Sequence, residues 1–82
     1  PSNSKGFLYP LYEILLVVED CPGVIARASG ALADVGINIE DIEVLKIREG
    51  EGGTIRMGFG KQREAETAVE VLSRVGFSVR LR

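Results

Sequence analysis

Histidine is absent from the 82 residues, and cysteine occurs once. Without an imidazole the chain lacks the commonest general base, the commonest metal ligand and every Ser/His or Cys/His nucleophile pair, so the composition argues for binding or regulation over catalysis. The single thiol, Cys21, excludes an internal disulfide and a Cys-x-x-Cys metal-transfer pair, and fits a reducing, cytoplasmic setting. No Gly-x-Gly-x-x-Gly run follows a strand-like segment, so no dinucleotide cofactor is expected in these residues. Long apolar runs are missing as well. The longest, Ile14 to Val18, falls far short of the roughly 20 residues that cross a bilayer, so no membrane is implied. "PSNSKGFLYP" has no basic start, apolar stretch or cleavage site of a secretory signal, and no initiator Met, so the sequence reads as a segment of a longer chain. Excess positive charge is lacking too: the net charge is -2 and the pI near 5.1, which argues against nucleic acid as a partner.

What remains is an ordinary globular composition, 45% hydrophobic and 27% charged. A domain this small buries only about 60% of its unfolded surface, so self-association would add to a modest core. Residues 1–10, rich in Ser, Asn, Gly and Pro, read as a linker or tail from a preceding domain, and residues 11–82 as one domain. Tyr12 to Glu19 is apolar on both alternating faces, as in a central strand. From Gly23 to Val35, Val24, Ile25, Ala28, Leu32 and Val35 recur at helical spacing while Arg27, Ser29 and Asp34 lie off that stripe, and Gly36 stops the helix. Ile37 to Arg48 is a long β-branched strand in which Ile42 and Val44 are out of phase with Leu45 and Ile47, a sign of a bulge or of a two-sided strand. Glu49 to Gly53 reads as a hairpin loop, after which Ile55, Met57 and Phe59 alternate with Thr54, Arg56 and Gly58. Ala65, Ala68, Val69, Leu72 and Val75 mark a second helix over Lys61 to Val75, with Glu70 and Arg74 as an i,i+4 pair; Gly76 ends it, and Phe77, Val79 and Leu81 begin a last strand.

Strand, helix, strand, strand, helix, strand with two right-handed crossovers predicts an α+β fold, a ferredoxin-like βαββαβ sandwich with a four-stranded antiparallel sheet and both helices on one face. With Ile14, Leu16 and Val18 toward the helices, Glu13, Leu15 and Val17 face outward beside Arg56 and Arg80. That apolar centre framed by charge is a candidate interface. An RNA-binding sheet would need stacking aromatics there, and Leu15, Val17, Arg56 and Gly58 supply none.

The stretch "DCPGVIARASGALADVGINIEDI", Asp20 to Ile42, carries the remaining signals. Pro22 keeps Cys21 out of the helical region, and Gly23 allows a close approach to the backbone. The free N–H groups of Gly23, Val24 and Ile25 would then form a place for a carboxylate. Asp20 would cap that helix or receive a cation; a plain strand-to-helix turn with an Asp cap explains the same residues. Cys21 reads first as a small turn residue and second as a reactive thiol beside a helix start. Asn38 is either an exposed start-of-strand residue or an amide facing a partner subunit, where its donor and acceptor suit the zwitterionic end of an amino acid.

Asp20–Val24 and "GINI" at Gly36–Ile39, in this spacing and element order, resemble the ACT domain family, small ligand-binding regulatory modules attached mostly to enzymes of amino acid metabolism. The segment Ile42 to Phe59 is similar to the ACT domains at the C-terminus of bacterial prephenate dehydrogenases. That resemblance implies a homodimer, side by side or face to face, with an amino acid effector in the groove between copies. It implies contacts from Asp20, Cys21, Gly23, Val24 and Ile25 of one chain and from Asn38 and Ile39 of the other. It further implies tyrosine as effector, and an attached N-terminal catalytic domain that holds any NAD. Val18 stands where some serine-binding relatives carry a His, which argues against a serine site. The alternative expectation is a ligand-independent dimerisation or docking module.

Overall fold

A computed structural model describes residues 11–19, 23–48 and 52–82. The elements are β1 (Tyr12–Val18), α1 (Val24–Asp34), β2 (Asp41–Arg48), β3 (Gly52–Phe59), α2 (Gln62–Arg74) and β4 (Ser78–Leu81). All neighbouring strands are antiparallel in the order β2-β3-β1-β4, the ferredoxin-like sandwich expected from the element order. The expected linker over 1–10 lies outside the described residues.

Strand alternation puts Ile14, Leu16 and Val18 of β1 and Ile55, Met57 and Phe59 of β3 on one face, where they pair as Ile14 with Met57 and Leu16 with Ile55. The helices close over that face with Val24, Ala28 and Leu32 of α1 and Ala65, Ala68 and Leu72 of α2, one residue per turn. Alanine at three of these six positions lets the helices sit close to the sheet. Each fully buried large aliphatic here contributes about 1.5–3 kcal/mol.

Three sequence expectations shift. Ile25, Val35 and Val75 join no core: they are 39%, 52% and 55% exposed, because the buried lines that meet the sheet run through Val24, Ala28 and Leu32 of α1 and through Ala65, Ala68 and Leu72 of α2. The second strand begins at Asp41 and not at Ile37. Ile37 instead completes a C-terminal turn in which Ile37 N donates to Leu32 O and Gly36 N to Ala33 O, with Gly36 at φ +79. The second helix ends in the same way, Phe77 N donating to Leu72 O and Gly76 N to Ser73 O. Gly52 and Gly53 belong to β3 and not to the loop, with Gly52 opposite Arg48 and Gly53 opposite both Ile47 and Val18. The phase change in β2 is a bulge: Val44 faces Ile55 and Lys46 faces Thr54, leaving Leu45 as the extra residue.

Candidate functional site

Gly23 is the N-cap of α1 in the left-handed conformation, φ 78 and ψ 7, and it offers no side chain to the helix. Arg27 N donates to Gly23 O at 2.9 Å, closing the first turn. Among the described residues no N-cap side chain bonds the helix start and no acidic residue occupies the first turn to offset the positive end of the helix dipole. Val24 is buried against the core and Ile25 projects at its side, 39% exposed. Asp20 and Cys21, the other expected contacts on this loop, lie outside the described residues.

Asn38 is exposed, and its Nδ2 donates to Glu40 Oε2 at 3.2 Å, leaving its amide oxygen as an acceptor. Ile39 is partly buried against the core. Within one chain the two halves of the expected site stand apart. Eleven residues of α1 separate them, about 16 Å at 1.5 Å per residue. Gly23 follows the Val18 end of β1, whereas Glu40 N bonds Gly58 O, beside the Glu13 end.

The outer sheet face is organised by Arg56, only 9% exposed. Its Nη2 donates to Asp41 Oδ2 at 2.6 Å, Nη1 to Glu13 Oε2 at 2.7 Å and Nε to Glu43 Oε1 at 3.0 Å. Glu13 also receives Arg82 at 3.3 Å. These bonds tie β1, β3 and β2 in register, and they hold the Asp41 carboxyl below its ordinary range, first through the hydrogen bond from Arg56. The Asp41 and Glu43 bonds in turn raise the Arg56 guanidinium further above its usual range. Leu15 is half-buried beside Arg56 and Arg80, and Val17 is 53% exposed. Strand alternation had already put Glu13 beside Arg56; Asp41 and Glu43 escaped sequence reasoning, and laying them across from Gly58 and Arg56 in the sheet register would have found them.

A second feature carried no sequence signal. Arg27 lies 5.2 Å from the Phe77 ring centroid, across fifty positions of sequence, and both line a cleft of about 520 Å3 with Glu19, Val24 and Ser78. Among the described residues no helix is long and apolar enough to cross a membrane.

This sandwich, with a glycine turn leading into α1 and Gly-Ile-Asn-Ile after it, is that of a regulatory domain. The profile of the ACT domain matches residues 12–77, and the chain belongs to the ACT domain family. Prephenate dehydrogenase of Bacillus subtilis (strain 168) is 32% identical over 73 residues, covering 85% of this chain and 20% of that protein. The chain thus spans a fifth of the length of that relative. Among solved structures, the ACT domain of prephenate dehydrogenase from Bacillus anthracis superposes with a TM-score of 0.75 at 25% identity, covering 83% of this chain and 99% of that one. The ligand-free regulatory subunit of aspartate kinase from Thermus thermophilus gives 0.74 at 27% identity, covering 88% of this chain and 50% of that one.

Proposed function

We propose that this chain is the effector-binding part of a cytoplasmic enzyme of aromatic amino acid biosynthesis, a prephenate dehydrogenase under feedback control by tyrosine. Two of the relatives above are prephenate dehydrogenases, and ACT domains bind amino acid effectors within larger enzymes. Dehydrogenation and its nicotinamide cofactor are assigned to the catalytic domain of such an enzyme, outside the ACT segment. The observation that supports the reading is the helix start at Gly23, Val24 and Ile25, where among the described residues no cap side chain and no first-turn acid competes with an effector carboxylate.

Because Asn38 stands at the far end of α1, the site is completed by a second chain. The β2 edge suits that chain: it is the open edge of the sheet next to β3, and Ile42, Val44 and Leu45 on it are 42%, 47% and 45% exposed. Antiparallel pairing of two β2 edges about a two-fold axis sets the Asp41 end of one sheet beside the Arg48 end of the other. Asn38 and Ile39 of one copy then approach the Gly23 end of its neighbour. The outer face with Leu15, Val17, Arg56 and Arg80 is left as the contact surface for the attached catalytic domain.

An effector that touches both chains favours the dimer arrangement it fits, and the shift reaches the attached domain as a coupling free energy. Calorimetric titration with tyrosine, phenylalanine, serine and the branched-chain amino acids tests this. Tyrosine is expected to give saturable heat and a raised melting temperature. No heat and no thermal shift with any of them rejects the ligand role and leaves a ligand-independent dimerisation module.

A further inference from the structure

The outer sheet face is divided electrically across its strands. Asp41 and Glu43 lie on its β2 side and Arg80 and Arg82 on its β4 side, with Leu15 and Val17 between them. Arg56 is the cation beside the two β2 acids, and Arg82 offsets Glu13. That leaves one negative charge in excess on the β2 side and, with Arg80, one positive charge in excess on the β4 side. The bonds from Arg56 hold both β2 acids in place before anything docks, which lowers the ordering cost of a contact. Leu11 lies on the same face, since a Cβ at Gly58 would come within 3.1 Å of its Cδ1. With Leu15 and Val17 it draws an apolar line along β1. The described chain enters the sheet at Leu11, so a domain joined ahead of it is tethered beside this face at high effective concentration.

We propose that the outer face receives the attached catalytic domain in one rotational setting, through a surface of opposite polarity. That surface presents cationic side chains to Asp41 and Glu43, carboxylates to Arg80 and Arg82, and apolar side chains to Leu11, Leu15 and Val17. Turning the domain by half a turn about the normal to the sheet would set like charges against each other on both sides, so the division of charge selects one orientation. The apolar line excludes water at the centre, and the charged sides set the register. The proposal rests on the reading above for the presence of that domain, and adds the chemistry and the orientation of its contact.

The test is hydroxyl-radical footprinting, without tyrosine, of the full-length protein that carries this chain, with the exposed Val75 as internal reference. Oxidation of Leu15 is expected to be about three-fold lower in the full-length protein than in the 82-residue chain, because a docked surface excludes water there. Glu43→Lys and Arg80→Glu, both at exposed positions, are each expected to remove most of that protection with the fold retained by circular dichroism. Arg80→Glu breaks no bond of the Arg56 cluster, so it carries the test even where Glu43→Lys loosens β2. The two together restore the net charge but reverse the polarity, and are expected to expose Leu15 at least as much as either alone. Equal oxidation of Leu15 in the full-length protein and in the chain, or protection kept in Arg80→Glu or regained in the double variant, overturns the proposal. Protection that rises with protein concentration assigns the face to a second copy and overturns it too. Tyrosine heat with Leu15 unprotected upholds the effector reading and rejects this one, whereas Leu15 protected as described without tyrosine heat does the reverse.

Discussion

Replacing Gly52 with alanine separates two costs that other glycines in this fold carry singly or not at all. Gly52, Gly36 and Gly76 all have positive φ, +80, +79 and +103. An alanine at Gly36 or Gly76 would meet nothing within 4 Å, so only the left-handed conformation is penalised, at about 1–2 kcal/mol. At Gly52 the added Cβ would fall inside the van der Waals contact of Val18 O and within 2.9 Å of Glu19 Cα, both backbone atoms. Neither can rotate away. Relief requires β3 to part from β1 where Gly53 pairs with Val18, whose side chain is only 4% exposed. Losing a ladder hydrogen bond or two adds about 1–2 kcal/mol, for a total near 3 kcal/mol. For a domain of this size, each kcal/mol lowers the melting temperature by about 4–8 °C. Urea unfolding of the three variants, followed by circular dichroism, is the assay. Gly52→Ala is expected to lose about twice what Gly36→Ala or Gly76→Ala loses, with the m-value unchanged. A Gly52→Ala variant as stable as Gly36→Ala refutes the close approach of β3 to the end of β1, and with it the placement of Glu19.

Arg56→Met keeps the aliphatic stem but removes three charge-assisted bonds to acids that remain 29–57% exposed and can rehydrate; a loss of about 1–2 kcal/mol in urea unfolding is expected. Because Arg56 lowers the Asp41 carboxyl from 3.8, its stabilising contribution is present above that value and is lost as the pH falls through the lower folded one. The acid limb of a stability–pH curve is therefore expected to be shallower below pH 4 in Arg56→Met, by thermal melts at matched ionic strength. Leu72→Ala empties a fully buried position of α2 and is expected to cost about 2–5 kcal/mol in the same unfolding assay. In sedimentation velocity, Val44→Glu on the β2 edge is expected to give monomer and Val17→Glu on the outer face to leave the dimer intact; the reverse outcome assigns self-association to the outer face.

Element order and most of the core were legible because the fold obeys simple periods: Ile14, Leu16 and Val18 alternate, Ala65, Ala68 and Leu72 recur each turn, and both are buried as that spacing implies. Periodicity overreached where it met other constraints. Ile37 looked like strand because it is β-branched, but hydrogen bonding at the end of α1 claims it first. Gly52 and Gly53 looked like loop because glycine marks turns, yet at Gly52 glycine is what admits the strand under the Val18 backbone. The helix start at Gly23 could be anticipated from Pro-Gly before an amphipathic run. Alternation alone set Glu13 beside Arg56, whereas Asp41 and Glu43 needed the β2–β3 register to be seen, and the meeting of Arg27 with Phe77 joins residues of which a sequence read by local pattern holds no record.

A mixing experiment reaches the shared site most directly. Ile25→Asp places a carboxylate at the helix start to repel an effector's own, and Asn38→Ala removes the amide supplied across the two-fold; each homodimer is expected to lose tyrosine binding. In an equimolar mixture half of the dimers pair unlike chains, and each of these carries one site with both defects and one with neither, so about a quarter of all sites should return. Tyrosine binding in the mixture at that level is the result expected of two chains sharing one crevice. A mixture no better than its separate components contradicts it.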